Sequence, residues 1–491
     1  MNRAIRRVGI AVTALILVLV AQLTYFQVVD AKRLANDPRN VRKQLDDFNR
    51  ARGEILTAEG DVVARSVPVP ANSDFDYQRE YPLGGLFAQI SGYQSFVVGN
   101  AGVEQRYDRV LTGREKKLDL GNLAGIIQGK QDTQNVVLSV RRDLQQLAAD
   151  QLGGRKGSVV VLDVKTGAVL AMYSNPTYDP NPLASHDTQV VNDTFAVYKA
   201  DPANPMLPRS YREIFPPGST FKTVTSISAL DAGITTPDRF FPPLDALPLP
   251  QTNTPLRNFS GETCGGTMLQ AFTISCNVVF AQLGLELGND FVPRMANCGV
   301  AAGDAPPLDL TPSAVASVGP PAGSFDNDKP SFARAGIGQN PVAVTPLEMA
   351  LVAAGIANGG VIMTPYVAQQ ITDADGTPLR DASPTPWKTC TSPATAGEVA
   401  NMMVNVVNSP NGTGTAAQIP GVLVAGKSGT AQTGIEGAAP HAWFVAFAPA
   451  EAPRYAVSVM IESADGVSTE QTGGAVAAPI AGTMLQQALT R

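Results

Sequence analysis

The sequence predicts a mixed α+β (α/β) chain in three parts. These are an N-terminal membrane anchor, a small α+β pedestal, and a larger domain built on one five-stranded, mainly antiparallel sheet flanked by helices with a helical lobe. Three observations predict this. A β-hairpin pattern stands at 157–172, a three-strand meander with apolar alternation in its last strand occupies 422–462, and mostly helical spacing fills 219–410 between them. Of 491 residues, 44% are hydrophobic and 16% charged, which suits sizeable cores and excludes disorder throughout. The formal charge of −6 argues against nucleic acid as the main partner, because phosphate binding needs a concentrated basic surface.

Residues 8–29, VGIAVTALILVLVAQLTYFQVV, carry no charge. As a helix they reach about 33 Å, enough to cross a hydrocarbon core of about 30 Å. The run is longer than a signal-peptide core and ends without a small-x-small cleavage site, so it reads as an uncleaved signal anchor in the cytoplasmic membrane. Basic residues lie on both sides of it, and the positive-inside count alone does not orient it. Residues 1–7 read as a short cytoplasmic stub and the body as exported.

Residues 30–135 read as the pedestal, opened by a charged stalk at 30–52. Arg52-Gly-Glu-Ile-Leu-Thr-Ala-Glu-Gly60 with Asp61-Val-Val-Ala64 reads as two short strands around a Glu-Gly turn. The large domain spans 136–491. It opens with a strand at 136–140, a helix at 143–152 and a hairpin at 157–163 and 168–172 around Lys165-Thr-Gly167. Residues 174–210, rich in Pro, Asn and Asp, read as a long surface loop. Strands return at 422–432, 441–447 and 454–462, and a last helix follows at 475–489.

The chemistry centres on Phe215-Pro-Pro-Gly-Ser-Thr-Phe-Lys-Thr-Val224, a turn into a helix. Ser219 stands near the helix N-terminus, where the dipole favours developing negative charge, and Lys222 lies one turn on, on the same face. A buried Lys222 loses its proton near neutral pH and serves as a general base. The plain alternative is a capping serine beside an exposed lysine, and S-x-x-K alone is a weak pattern. Context sharpens it: of all the lysines only Lys222 has a serine three residues earlier, and Ser275-Cys-Asn277 and Lys427-Ser-Gly-Thr430 follow in order. Ser275 can relay a proton, and Asn277 can orient Lys222. Lys427 and Ser428 can hold a substrate carboxylate, and Gly429 lets an extended peptide approach the strand. The backbone N–H groups of Ser219 and Thr430 would form an oxyanion hole.

Two segments imitate these motifs. Lys165-Thr-Gly167 occupies a hairpin turn, and Ser409-Pro-Asn411 sits in a loop; both read as structural. His441 reads as a polar strand-edge residue, and Trp443 and Phe444 as packing. With His186 and His441 the only histidines and four cysteines lacking C-x-x-C spacing, a Cys/His zinc site and a histidine triad are disfavoured. Cys276 reads as space-filling; a Cys264–Cys276 disulfide is open to an exported chain, but spacing does not establish it.

The ordered set S-x-x-K, S-x-N and K-S-G resembles the signature of penicillin-recognising serine enzymes. The chain as a whole resembles the class B penicillin-binding proteins, monofunctional D,D-transpeptidases that cross-link peptidoglycan. Gly102-Val-Glu104 with Leu111-Thr-Gly113 is similar to that family's pedestal motif, and Gly336-Ile-Gly-Gln339 to a segment near its site. The pedestal's usual Arg-Gly-x-Ile-x-Asp-Arg-x-Gly lacks its Asp-Arg pair here, which weakens the expectation of pedestal ion pairs.

The resemblance implies a Ser219 acyl-enzyme formed from stem peptides, acylation of the same serine by β-lactams, and no cofactor or metal. It also implies a membrane partner, a glycosyltransferase of the RodA/FtsW kind. The competing readings are a D,D-carboxypeptidase or β-lactamase, in which water replaces the acceptor amine, and a non-catalytic wall-assembly scaffold or β-lactam sensor.

Overall fold

The computed structural model describes residues 2–30, 48–70, 75–114, 133–435, 438–463 and 472–490. A helix spans Asn2–Thr24 and continues through Tyr25–Val29. Within it, Ile5–Val28 is long and apolar enough to cross a membrane. Most of the predicted stalk, 31–47, lies outside the described residues. At its end, Phe48 packs on Phe75 and Phe96, with ring centroids 5.5 and 5.6 Å away.

The two predicted pedestal strands form at Ile55–Leu56 and Val62–Pro68 and pair antiparallel across a turn that Gly60 closes at φ +90°. Tyr77–Glu80 extends the sheet on one side. On the other side Asn135–Leu138 runs parallel to Ile55–Leu56, and Ala368–Thr372 and Pro378–Asp381 complete six strands. Strands distant in sequence therefore join the pedestal sheet, and Asn135–Leu138 straddles positions 135 and 136.

Against the expectation from the missing Asp-Arg pair, the pedestal holds a buried ion cluster. Arg52 pairs with Glu104 at 3.0 Å and with Asp108 at 2.9 Å, and Arg79 pairs with Glu104 at 2.6 Å. Burial opposes the charge on Glu104, yet the Arg79 and Arg52 guanidiniums outweigh it and hold its carboxyl below the usual range.

In the large domain the hairpin forms β1 (Gly157–Asp163) and β2 (Val169–Asn175). The C-terminal meander forms β3 (Ala425–Ala431), β4 (His441–Ala448) and β5 (Tyr455–Ile461). The order is β3-β4-β5-β1-β2 and every pair is antiparallel, which leaves β3 on an edge. Helices Arg142–Leu152 and Ala478–Leu489 cover one face. Pro346–Ala357, whose twelve residues are all buried, lies under the other; it is apolar all round but for Glu348, which accepts from the Thr345 N–H in a capping box.

Two sequence readings are corrected. The stretch 174–210 is not a plain loop: Thr188–Ala200 is a helix, capped where Asp187 accepts from the Gln189 N–H at 2.9 Å. The span read as mostly helical contains strands at Val361–Met363, Ala368–Thr372, Pro378–Asp381 and Pro386–Thr389. Prolines 365, 378, 384 and 386 preclude helix there.

Candidate active site

Gly218, at φ +53°, turns the chain sharply into a short 3-10 turn, Gly218–Phe221, which leads into the helix Lys222–Asp231. The turn abuts the edge of β3: a Cβ on Gly218 would lie 2.9 Å from the Thr430 carbonyl oxygen, and one on Gly429 2.8 Å from that of Pro217. Only glycine on both sides permits this approach. Phe221 and Val224 anchor the helix in the core. Ser219 is half-buried on the turn, beside the strand that carries Lys427 to Thr430.

Lys222 is fully buried. Its Nζ donates to the Ser275 carbonyl at 2.7 Å and to Asn277 Oδ1 at 2.8 Å, and lies 3.2 Å from Ser275 Oγ. Lys427, also fully buried, donates from Nζ to Ser275 Oγ at 2.9 Å and to the Ser428 carbonyl at 3.0 Å. Each amine sits against an aromatic ring, Lys222 over Phe280 and Lys427 over Phe272. Among the described residues, neither amine has a carboxylate as a hydrogen-bonded partner. Burial first, then the neighbouring Lys427 charge, pushes the Lys222 pKa well below the ordinary lysine value. Burial lowers that of Lys427 to about 7.

Local structure explains how Ser275 reaches both amines. The helix Met268–Thr273 ends at Ile274, and Ser275 adopts φ +62°, a conformation uncommon outside glycine and concentrated at functional positions. The next helix, Asn277–Leu287, is capped from a distance: Asn258 Oδ1 accepts from the N–H groups of Asn277 and Val278, both at 3.1 Å. Cys276 is not a space-filler. It forms a disulfide with Cys264, tying the Ser275-Cys-Asn277 segment to the strand Cys264–Thr267. Cys298 and Cys390 form a second disulfide that the sequence reading did not foresee.

Lys222, Ser275, Asn277 and Lys427 thus come together from three segments far apart in sequence, with the turn that bears Ser219 packed against the Lys427–Thr430 run. The two imitating motifs lie apart from this constellation. Lys165 donates to Asn358 Oδ1 beyond its hairpin turn, and Ser409 bonds Asn405 at the end of the helix Pro393–Asn408. His441 Nδ1 accepts from the Ser463 N–H at 3.0 Å, a structural contact. Asn258, Phe272 and Phe280 belong to the site but carried no motif by which sequence reasoning could find them.

A half-buried serine on the turn that leads into the helix of a buried, depressed-pKa lysine, with a second buried lysine on a sheet edge, is the arrangement expected of a serine acyl-transfer site of the S-x-x-K kind. The penicillin binding protein transpeptidase domain matches residues 157–486, and the penicillin binding protein A dimerisation domain matches 52–137. The chain belongs to the penicillin-binding protein transpeptidase family. It is 37% identical over 501 residues to the peptidoglycan D,D-transpeptidase PbpA of Mycolicibacterium smegmatis, covering 100% of this chain and 99% of that one. Against the PbpA of Mycobacterium tuberculosis H37Rv it is 37% identical over 505 residues, covering 100% and 99%. The fold is similar to penicillin-binding protein A from M. tuberculosis in its ceftriaxone acyl-enzyme complex, with TM-score 0.82 and 34% identity over 91% of this chain and 100% of that one.

Proposed function

We propose that this chain is a peptidoglycan D,D-transpeptidase that works through a Ser219 acyl-enzyme and is inhibited by β-lactams at the same serine. The observation that carries the residue roles is the convergence of two buried amines on the Ser275 hydroxyl, beside the turn that bears Ser219. A neutral Lys222 has two N–H donors, and the Ser275 carbonyl and Asn277 Oδ1 can only accept, so its lone pair is left for a proton. Ser219 Oγ attacks the penultimate D-Ala carbonyl as Lys222 takes its proton. The backbone N–H groups of Ser219 and Thr430 receive the oxyanion. Ser275 passes the proton to the departing D-Ala amine, while Lys427 and Ser428 hold that residue's carboxylate. Gly429 lets the Ser219 turn close against β3, whose outer edge is left for the stem peptide. An acceptor amine then attacks the ester, and its proton returns by the same route.

The 30–135 pedestal is read as the docking unit and 136–491 as the catalytic unit. Two disulfides support a body on the extracytoplasmic side, where thiols oxidise. The partner read for the anchor and pedestal is a RodA/FtsW-type glycosyltransferase, and a chain lacking 30–130 is expected to bind penicillin yet fail to support wall growth. Full complementation by that truncation would refute the partner role.

The catalytic reading is tested by fluorescent penicillin. Ser219 should label covalently and hold the label, and Lys222→Ala should slow acylation about 10²- to 10⁴-fold. Absence of label sinks the enzyme reading, and release within seconds indicates a lactamase instead.

A further inference from the structure

Behind the β3 edge, Thr413 Oγ1 and Ser428 Oγ lie 2.7 Å apart. Thr413 belongs to the loop that follows the helix Pro393–Asn408, fourteen residues before Lys427 in the chain. The loop is held firmly. The Gly414 N–H donates to the Val406 carbonyl at 2.9 Å, and a Cβ on Gly414 would lie 2.9 Å from the Phe444 ring. From the other side a Cβ on Gly474 would lie 2.2 Å from the Thr413 carbonyl oxygen, so backbone packs directly over this residue. Phe444 is the cross-strand partner of Ser428, so the loop and the serine share one wall.

We infer that Thr413 is a positioning residue for carboxylate recognition: its hydroxyl donates to Ser428 Oγ and so directs the single Ser428 proton toward the terminal carboxylate of the substrate. This rests on the assignment of Ser428 to that carboxylate. Each hydroxyl has one. If Ser428 spends its own on Thr413, it presents only lone pairs to an anion and repels it. If Thr413 donates, Ser428 is free to donate, and an anion at the end of the chain polarises both bonds in the same sense. Among the described residues the Thr413 hydroxyl has no other hydrogen-bond partner. Ser428 is nearly buried, so water does not readily substitute for Thr413.

The test compares kcat/KM of the full chain for two acyl-D-alanyl thioesters, one ending in a free carboxylate and the other in its methyl amide. Their ratio is the carboxylate preference. Thr413→Val should lower that preference about five- to tenfold, mostly through the carboxylate substrate, and Thr413→Ser should retain it. Thr413→Ala serves if the valine variant fails to fold. Equal losses with both substrates, an unchanged preference, or a serine variant as impaired as the valine one would each overturn the proposal. Ser428→Ala separates the two layers. If it abolishes the preference while Thr413→Val does not, only the role of Thr413 falls; if it leaves the preference intact, the assignment of Ser428 falls and takes the role of Thr413 with it.

Discussion

At the scale of residues, the site depends on two lysines held in an environment that resists their charge. The sign of the pH response follows from the direction of their shifts. Lys222 must be neutral to accept a proton, so acylation should fall as pH drops through its depressed pKa. The Lys427 charge contributes to that depression, so Lys427→Gln should move the acid limb of the acylation profile to higher pH, whatever it does to the maximum rate. An unmoved limb would mean the amines do not sense each other. Stability responds as well. Folded Lys427 releases its proton near pH 7, whereas an unfolded lysine keeps it to about 10.4. Between those values the unfolded chain binds the extra proton, so stability from this residue rises with pH, and below 7 the charged side chain bears the full burial cost. Lys427→Met should therefore raise the thermal midpoint more at pH 6 than at pH 9.

At the scale of elements, the two disulfides separate stability from function. In the chain-entropy account the short Cys264–Cys276 loop constrains the unfolded chain by about 3 kcal/mol and the long Cys298–Cys390 loop by more than 4 kcal/mol. Yet Cys276 sits between Ser275 and Asn277, the groups that touch Lys222. Cys264→Ser should slow penicillin acylation out of proportion to its effect on the thermal midpoint, and Cys298→Ser should do the reverse. The elements themselves were unevenly legible. A continuous apolar run made β4 readable and apolar alternation made β5 readable, and Pro-Pro-Gly with Lys222 three residues after Ser219 made the Ser219 turn readable. The helix Thr188–Ala200 was hidden because its cap and the flanking prolines set the composition of the whole stretch. Asn258 was invisible for another reason: it caps a helix nineteen residues away in the chain, and no local pattern encodes that contact.

At the scale of the whole molecule, the pedestal and the catalytic segment are joined by a shared sheet. The sequence read the pedestal as one early segment, because the pairing of Ala368–Thr372 with Asn135–Leu138 spans more than two hundred residues and leaves no local trace. Asp309 strengthens the joint, accepting from the pedestal's Tyr107 hydroxyl at 2.7 Å and from the Val367 N–H at 2.7 Å. The pedestal's own integrity turns on Glu104, the one carboxylate between two buried guanidiniums. Glu104→Gln would leave the buried Arg79 without its carboxylate while Arg52 keeps Asp108, and should cost about 3–5 kcal/mol. Thermal unfolding should show the loss, while Ser219 still labels with penicillin well below the midpoint. An unshifted midpoint would mean the cluster is not structural.

The central claim is that a neutral Lys222 activates Ser219, and the protonation state of that amine is directly measurable. In protein carrying ¹³C at lysine Cε, with Lys222→Arg to assign the signal, the Lys222 resonance should titrate well below the ordinary lysine range. A Lys222 signal that stays in its protonated position up to pH about 10 would contradict the account.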